Sequence, residues 1–548
     1  MATYLDLANL LFPDVTKTID DLEKEYPLRN LPEGAQVTRF APSPTGFLHT
    51  GSLFTAFIAY TYAKQSQGVY MFRLEDTDTK RTIAGSADEL IDQLAEFGII
   101  ADEGYFPNGD KGAYGPYQQS VRADIYKVVI KHLIAEGKAY PDFCSAEDLQ
   151  KIRDFQEANK ILPGYYGPYA RDRKLTVDEQ IEKIKAGTPW VIRYKSMGDH
   201  DKKIKFKDAI RGELELADND VDIVIMKSDG LPTYHFAHVV DDHFMRTTVV
   251  TRGEEWIPST PIHIQLFRDL GWKGPKYAHL PVIMKLDHGN KRKLSKRKDP
   301  EAAVSYFLKA GYPPKGLLVY LMSIANSNFE EWTIANKSLD VSKFTFAFKK
   351  MSLDGALFDE GKLNYFCKEV LAATPKEELL KAVKEWAEKN SPTLLKKMDD
   401  DMEYFSKILN IEKDRPNPRK DYAKYGDIEP ATWFFYDDEF EKHGELPFNE
   451  KYDKEFLKAF MSEVADKMLY GAGESEWWNS VKEVAAANGF AIANKDYKAN
   501  PDAYKGNISD AAEIIRIAIT GQKDSPNLHE VIEILGKERV MKRLKNAI

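Results

Sequence analysis

The order of apolar and polar residues divides this chain into two kinds of territory. In the first half, short apolar runs bounded by Gly and Pro alternate with longer helical patterns. QVTRF (36–40) is predicted to be a β-strand, ended by Pro42 and Pro44. LFTAFIAYTYA (53–63) is predicted to be a helix, and the α/β pattern is expected to resume near DIVIMKSDG (222–230). Strand and helix in alternation imply an α/β domain. Upstream, LANLLFPDV and TIDDLEKEY predict one or two short helices within residues 1–36. From LAATPKEELLKAVKEWAEKN (371–390) onward, apolar residues recur at intervals of three and four, as amphipathic helices require. The stretch from about 395 to 455 is acidic and aromatic, and no internal repeat or long low-complexity tract interrupts the pattern.

Composition narrows the classes. A chain of 548 residues exceeds the roughly 250–300 that one core supports, so several domains are expected. Charged residues reach 30%, and no apolar run approaches the roughly 20 residues of a membrane span. The first 35 residues lack a basic segment followed by an apolar core, so no secretory signal is expected and a cytoplasmic location is. The two cysteines, Cys144 and Cys367, fit a reducing compartment rather than a disulfide framework. With a net charge of −9, any nucleic-acid surface must be a local basic patch.

Two short words carry the chemistry. PSPTGFLHTGS (42–52) is a Gly- and Pro-broken turn with one imidazole, His49, placed before the predicted helix. Gly46 and Gly51 allow close backbone approach to a ligand, and the helix N-terminus offers free N–H groups to a phosphate. His49 can donate to a phosphate oxygen as charge builds there. KRKLSKRK (291–298) sets six cationic side chains around one hydroxyl, Ser295. Alone, such an octamer reads as a solvated charge run or nucleic-acid patch. Following the glycine-histidine turn in the same chain, it reads as the second half of a polyphosphate grip.

With both words in place, the chain resembles the bacterial-type glutamyl-tRNA synthetases, which are class I aminoacyl-tRNA synthetases. RFAPSPTGFLHTGS resembles that family's HIGH region, with Ser52 where the name motif has its last His, and KLSKR (293–297) resembles its KMSKS loop. FRLEDTD (72–78), GPYQQS (115–120), KSDGLPTYHFAHVVDDH (227–243) and RGEEWIPSTPIH (252–263) are similar to further blocks of the family, in its order. TGQKDSPNLHEVIEILGKERVMKRL resembles its C-terminal segment.

The resemblance implies a class I Rossmann-like α/β catalytic domain with an acceptor-end-binding insertion, followed by an all-α anticodon-binding half. The implied divisions are an extension at 1–36, catalytic segments at 37–114 and 222–289, an insertion at 115–221, a KMSKS-loop and stem-contact region at 290–372, and a helical region at 373–548. Arg39 and Tyr234 would read the side-chain carboxylate of glutamate, Ser43 and Glu75 its ammonium, and Arg252 its α-carboxylate. His238 stands where the family usually has Asn in contact with substrate, and an imidazole there could titrate near neutrality. His49, Gly51, Ser52, Glu254, Lys293, Ser295 and Lys296 would hold ATP, with His49, Lys293 and Lys296 stabilising charge in the reaction and Mg²⁺ offsetting the rest. The implied activity is ATP-dependent charging of tRNA(Glu) with L-glutamate through a glutamyl-adenylate, by a monomer without a membrane partner. Whether tRNA(Gln) is also charged stays open. A catalytically inactive tRNA-binding paralogue and a glutaminyl-type relative are the alternatives. Some family members bind zinc in the insertion through Cys residues and a Tyr. Here PDFCSAEDL keeps only Cys144, with Asp142 in place of another Cys and Tyr169 near a third position, so no zinc is expected.

Overall fold

The computed structural model describes every residue except Thr79 and Lys296. It separates into two compact units, one of residues 1–307 and 318–359, the other of residues 308–317 and 360–548. The helix Glu360–Ala373 therefore belongs with the second unit, although the sequence grouped 290–372 together.

In the first unit, strand β1 (Val37–Phe40) is buried along its whole length, as in a parallel sheet covered on both faces. The helix Thr50–Gln65 comes next and leads to β2 (Val69–Phe72), which pairs parallel to β1, and β3 (Glu103–Gly104) pairs parallel to β2. That helix buries residues nearly all round, from Leu53 and Phe54 to Ile58 and Ala63, which explains its continuous apolar pattern. The strands β4 (Ala139–Asp142), β5 (Val191–Tyr194) and β8 (Val224–Met226) form a small antiparallel sheet. Between β5 and β8 lies the hairpin of β6 (Lys203–Asp208) and β7 (Gly212–Ala217), whose alternating exposure marks one solvated face. Thr248 N donates to Val37 O at 2.9 Å, setting β9 (Val249–Gly253) beside β1. β10 (Lys276–Leu280) pairs parallel to β9, and β6 joins β10 through Asp208 opposite Tyr277. Strand pairing thus crosses the division expected at 221/222 in both directions. β8 bonds back to the small sheet, while the β6–β7 hairpin extends the sheet of β9 and β10.

The extension forms two helices, Tyr4–Leu11 and Ile19–Glu25, each opened by a capping box, Thr3 with Asp6 and Thr18 with Asp21. Leu7, Ala8, Leu11 and Phe12 join the core that contains Val128 and Val129 of the helix Ala123–Ala135. Glu23 pairs with His243 and Arg246, both at 2.6 Å.

The second unit is helical apart from one pair of two-residue parallel strands, Phe490–Ala491 and Gly506–Asn507. One core gathers Leu379, Val383, Leu394 and Phe405, and another gathers Phe460, Val464, Val481 and Ile515. These are the amphipathic periods read from the sequence, with their apolar faces turned inward. Among the described residues, no helix is long and apolar enough to cross a membrane.

Candidate active site

A cavity of about 670 Å³ opens where β1, β2 and β9 end, the edge at which open parallel sheets bind ligands. It is lined by Arg39, Ser43, His49, Gly51, Ser52, Glu75, Tyr234, Arg252 and Lys293, residues drawn from five separate sequence blocks. Glu255 and Trp256 also line it, and the motifs alone had not singled them out.

His49 is the N-cap of the helix Thr50–Gln65, and its Nδ1 accepts from Gly51 N at 3.0 Å. A neutral imidazole accepting at Nδ1 carries its proton on Nε2, so the remaining ring nitrogen is a donor. The Gly51 amide and the donor Nε2 thus sit together at the positive end of a 16-residue helix.

The cationic loop begins as a hairpin of β11 (Met284–Asp287) and β12 (Asn290–Lys293). Asp299 organises the turn that leads on from β12. It accepts from Arg292 at 2.5 and 2.8 Å and from Ser295 N at 2.8 Å, and Arg292 above all holds its carboxyl below the usual carboxylate range. Leu294 is buried beneath the loop, while Lys293 reaches Glu255 at 3.5 Å. Ser295 is not in the cavity lining, and Lys296 lies outside the described residues. Glu254 also stands apart, pairing with Arg211 and accepting from Val282 N, so the carboxylate that lines the cavity from this pair is Glu255.

Below the cavity is a buried charge network. Arg73 donates to Asp242 at 2.6 Å and to Glu75 at 2.9 Å, and Arg39 Nε reaches Asp242 at 3.2 Å. Burial alone would raise the Asp242 carboxyl, but Arg39 and Arg73 overcome it and hold the group well below its ordinary value. Burial wins at Glu75, whose carboxyl is pushed up despite the same arginines.

Arg252 is held differently. Its Nε donates to His279 Nε2 at 3.0 Å, and its terminal nitrogens meet His263 Nδ1 at 3.2 Å and Thr260 Oγ1 at 2.9 Å. Its guanidinium lies 4.7 Å over the Tyr277 ring. No carboxylate among the described residues comes within ion-pair distance, so a buried cation waits with only neutral partners. An isolated buried charge is costly, and an incoming carboxylate would relieve it.

His238 does not line the cavity. It is buried beneath Tyr234, with its ring stacked 5.9 Å away, Nδ1 2.9 Å from Asp242 and Nε2 3.2 Å from the Tyr277 hydroxyl. Burial lowers its pKa to about 3, which corrects the expectation of titration near neutrality.

In the small sheet, Asp142, Cys144 and Asp172 bring one ligand atom each within 4.8 Å of one another. The tyrosine at this cluster is Tyr165, not Tyr169. The Tyr165 hydroxyl lies 3.3 Å from Cys144 Sγ and donates to Asp142 at 2.8 Å, whereas Tyr169 packs on Phe155 and Tyr166. Arg193 grips Asp142 at 2.5 Å and Arg171 lies 3.2 Å from the sulfur. Burial raises the Cys144 thiol, keeping it protonated.

A parallel-sheet cavity with a histidine-capped helix on one side and a cationic hairpin loop on the other defines a class I nucleotide-using ligase. Residues 36–364 match the family described as tRNA synthetases class I (E and Q), catalytic domain, and residues 497–548 match an anticodon-binding domain. A glutamate–tRNA ligase of Acetivibrio thermocellus is 45% identical over 548 residues, covering 100% of both chains. One from Clostridium perfringens is 43% identical over 99% of each. The crystal structure of a glutamate tRNA ligase from Elizabethkingia meningosepticum in complex with its amino acid aligns with a TM-score of 0.74 at 29% identity, covering 93% of this chain and 99% of that one. The chain belongs to the class I tRNA synthetases for glutamate and glutamine.

Proposed function

We propose that this chain is an ATP-dependent glutamate–tRNA ligase whose amino-acid site is built on two arginines of unlike surroundings, Arg252 and Arg39. The observation that carries the reading is the buried Arg252 guanidinium without a carboxylate partner, in one cavity with Arg39, Glu75 and Tyr234. Arg252 takes the α-carboxylate, Glu75 the ammonium with Ser43, and Arg39 with Tyr234 the side-chain carboxylate. His238 acts from beneath Tyr234 without touching substrate.

The α-carboxylate attacks the α-phosphorus of ATP, and pyrophosphate leaves. The terminal ribose hydroxyl of tRNA then takes the glutamyl group and AMP departs. His49 Nε2–H, the Gly51 and Ser52 end of the helix, and the loop lysines Lys293 and Lys296 answer the charge that grows on the phosphates. Catalysis is orientation plus electrostatics, with no side chain acting as nucleophile. Glu255, one of the carboxylates lining the cavity, would help hold a Mg²⁺ ion arriving with ATP, which would supply charge neutralisation at the phosphates. The Asp142, Cys144 and Asp172 cluster does not suit zinc, since it offers a single thiol, with no histidine, and has two guanidiniums already on its ligands.

The enzyme is read as a cytoplasmic monomer charging tRNA(Glu). The family description spans glutamate and glutamine enzymes, so tRNA(Gln) is the second candidate acceptor. Charging assays with glutamate and each purified tRNA test both. Glutamate transfer to tRNA(Glu) is expected, and absence of transfer to either tRNA would leave the inactive paralogue as the better reading.

A further inference from the structure

The hydrogen-bond chain behind Arg252 extends to a residue that no substrate could touch. Arginine only donates, so His279 must accept at Nε2, and its proton therefore sits on Nδ1. That Nδ1–H points at Asp208 Oδ2, 2.7 Å away. Asp208 closes the β6 strand of the β6–β7 hairpin and is buried. Its four acceptor contacts are the His279 ring, His279 N at 3.1 Å, and the Ile210 and Arg211 amides at 2.9 Å each. The two turn amides fix the carboxylate through Oδ1, which leaves Oδ2 for His279. The same logic runs outward. His263 accepts from Arg252 at Nδ1 and so donates from Nε2 to His235 Nδ1 at 3.1 Å.

We propose that Asp208 is a positioning residue for amino-acid binding. By fixing the tautomer of His279 it keeps an acceptor behind Arg252 Nε, and so turns the other edge of the guanidinium toward the cavity. The inference rests on the reading that Arg252 takes the α-carboxylate. A carboxylate is required at 208 and an amide will not serve. Asp208→Asn keeps Oδ1 for the turn amides but turns an NH₂ toward His279. That drives the ring proton to Nε2, where it opposes the Arg252 N–H.

The test is steady-state ATP–pyrophosphate exchange, with tRNA present, by Asp208→Asn and Arg252→Ala. Asp208→Asn is expected to raise KM for glutamate roughly 10- to 100-fold, the range for a lost charge-assisted hydrogen bond, with KM for ATP near the parent's and a melting temperature a few degrees lower, because the new NH₂ also faces the His279 backbone N–H. An unchanged KM for glutamate in the folded variant overturns the inference, and so does an equal rise in both KM values, which a merely structural role would give. If Arg252→Ala itself leaves KM for glutamate unchanged, the reading of Arg252 has failed instead. Should Asp208→Asn not fold, ¹⁵N-histidine NMR of the unaltered protein still decides: His279 is expected protonated at Nδ1 and bare at Nε2, and the opposite tautomer refutes the relay.

Discussion

Replacing Arg39 by Ala separates recognition from stability. In many proteins, removing one member of a buried ion pair costs about 3–5 kcal/mol because the partner is left alone. Here Asp242 keeps Arg73 at 2.6 Å and the Thr247 hydroxyl at 3.1 Å, so it is not orphaned. The lost Arg39 contacts are the longer ones, 3.2 and 3.4 Å to Asp242 and 3.4 Å to Thr251 O, and together fall near the low end for a charged hydrogen bond, about 1.5 kcal/mol. For a chain of this size that is a melting shift of only a few degrees. Glutamate loses more, since no second cation in the proposed site takes over its side-chain carboxylate. A loss of about 1.5–3 kcal/mol there raises KM for glutamate roughly 10- to 150-fold. Glutamine gains less from Arg39, because only its carbonyl can accept there and its NH₂ is left to find an acceptor elsewhere, so the gap between the two amino acids should narrow. ATP–pyrophosphate exchange at varied glutamate and glutamine, with melting curves alongside, measures all three quantities. A folded Arg39→Ala enzyme with full glutamate preference would refute the reasoning. If Arg252→Ala loses the preference instead, the two carboxylate positions are exchanged.

Three other outcomes are expected. His49→Ala should lose about 1 kcal/mol as a helix cap and about 10²–10³ in adenylation rate, while His49→Asn restores the cap but not the rate; equal single-turnover rates for all three proteins would remove His49 from the chemistry. Burial lowers His235 to about 4, His238 to about 3 and His243 to about 4, and also depresses His263 and His279, so from about pH 6.5 down to 4 the unfolded chain binds protons that the folded one refuses. Stability should therefore fall as pH drops through that window, and a urea midpoint unchanged between pH 7.5 and 5.5 would contradict this. Protein purified without added metal should carry well under one zinc per chain by elemental analysis, and stoichiometric zinc on Cys144 would overturn the reading of that cluster.

Local pattern was enough to place the strand that carries Arg39, the turn that carries His49 and the helix after it, because each element is written in consecutive residues. The motifs also named Glu75, Tyr234, Arg252 and Lys293, all of which line one cavity. What a motif cannot convey is which neighbour turns inward. Glu254 and Glu255 are adjacent, yet a 3₁₀ turn sends Glu254 to Arg211 and leaves Glu255 at the cavity. His238 lies one helical turn after Tyr234, but that turn packs against His263 and Tyr277, far along the chain, so the position is interior. Asp208 was legible only as the end of an alternating strand. Its pairing with Tyr277 joins residues 69 positions apart, and no short-range pattern encodes that register. Arg73 and Asp242 lay inside the family-like blocks FRLEDTD and KSDGLPTYHFAHVVDDH, and the signal that could have found them is charge spaced at two residues, Arg73 and Glu75, directly after the buried strand β2.

In the proposed site the two arginines divide the work because their surroundings differ in kind. Arg39, Arg73, Asp242 and Glu75 are two cations and two anions in mutual contact, so this group is balanced before substrate arrives. Arg252 has imidazoles, a hydroxyl and an aromatic face, with Asp208 one ring removed. The stronger pull on an anion thus comes from Arg252, and every α-amino acid carries a carboxylate to answer it. In the proposed role that contact would supply affinity without choice. Choice has to come from Arg39, whose charge is already partly met by Asp242 and whose remaining asset is direction: it presents N–H donors and nothing else. Glutamate meets them with acceptors. Glutamine can turn its carbonyl toward them, but then its NH₂ must find an acceptor elsewhere in a pocket wall that includes the Tyr234 hydroxyl, and an unpaired buried donor costs about 1–3 kcal/mol. Discrimination by geometry of donors, rather than by net charge, is what this arrangement can deliver.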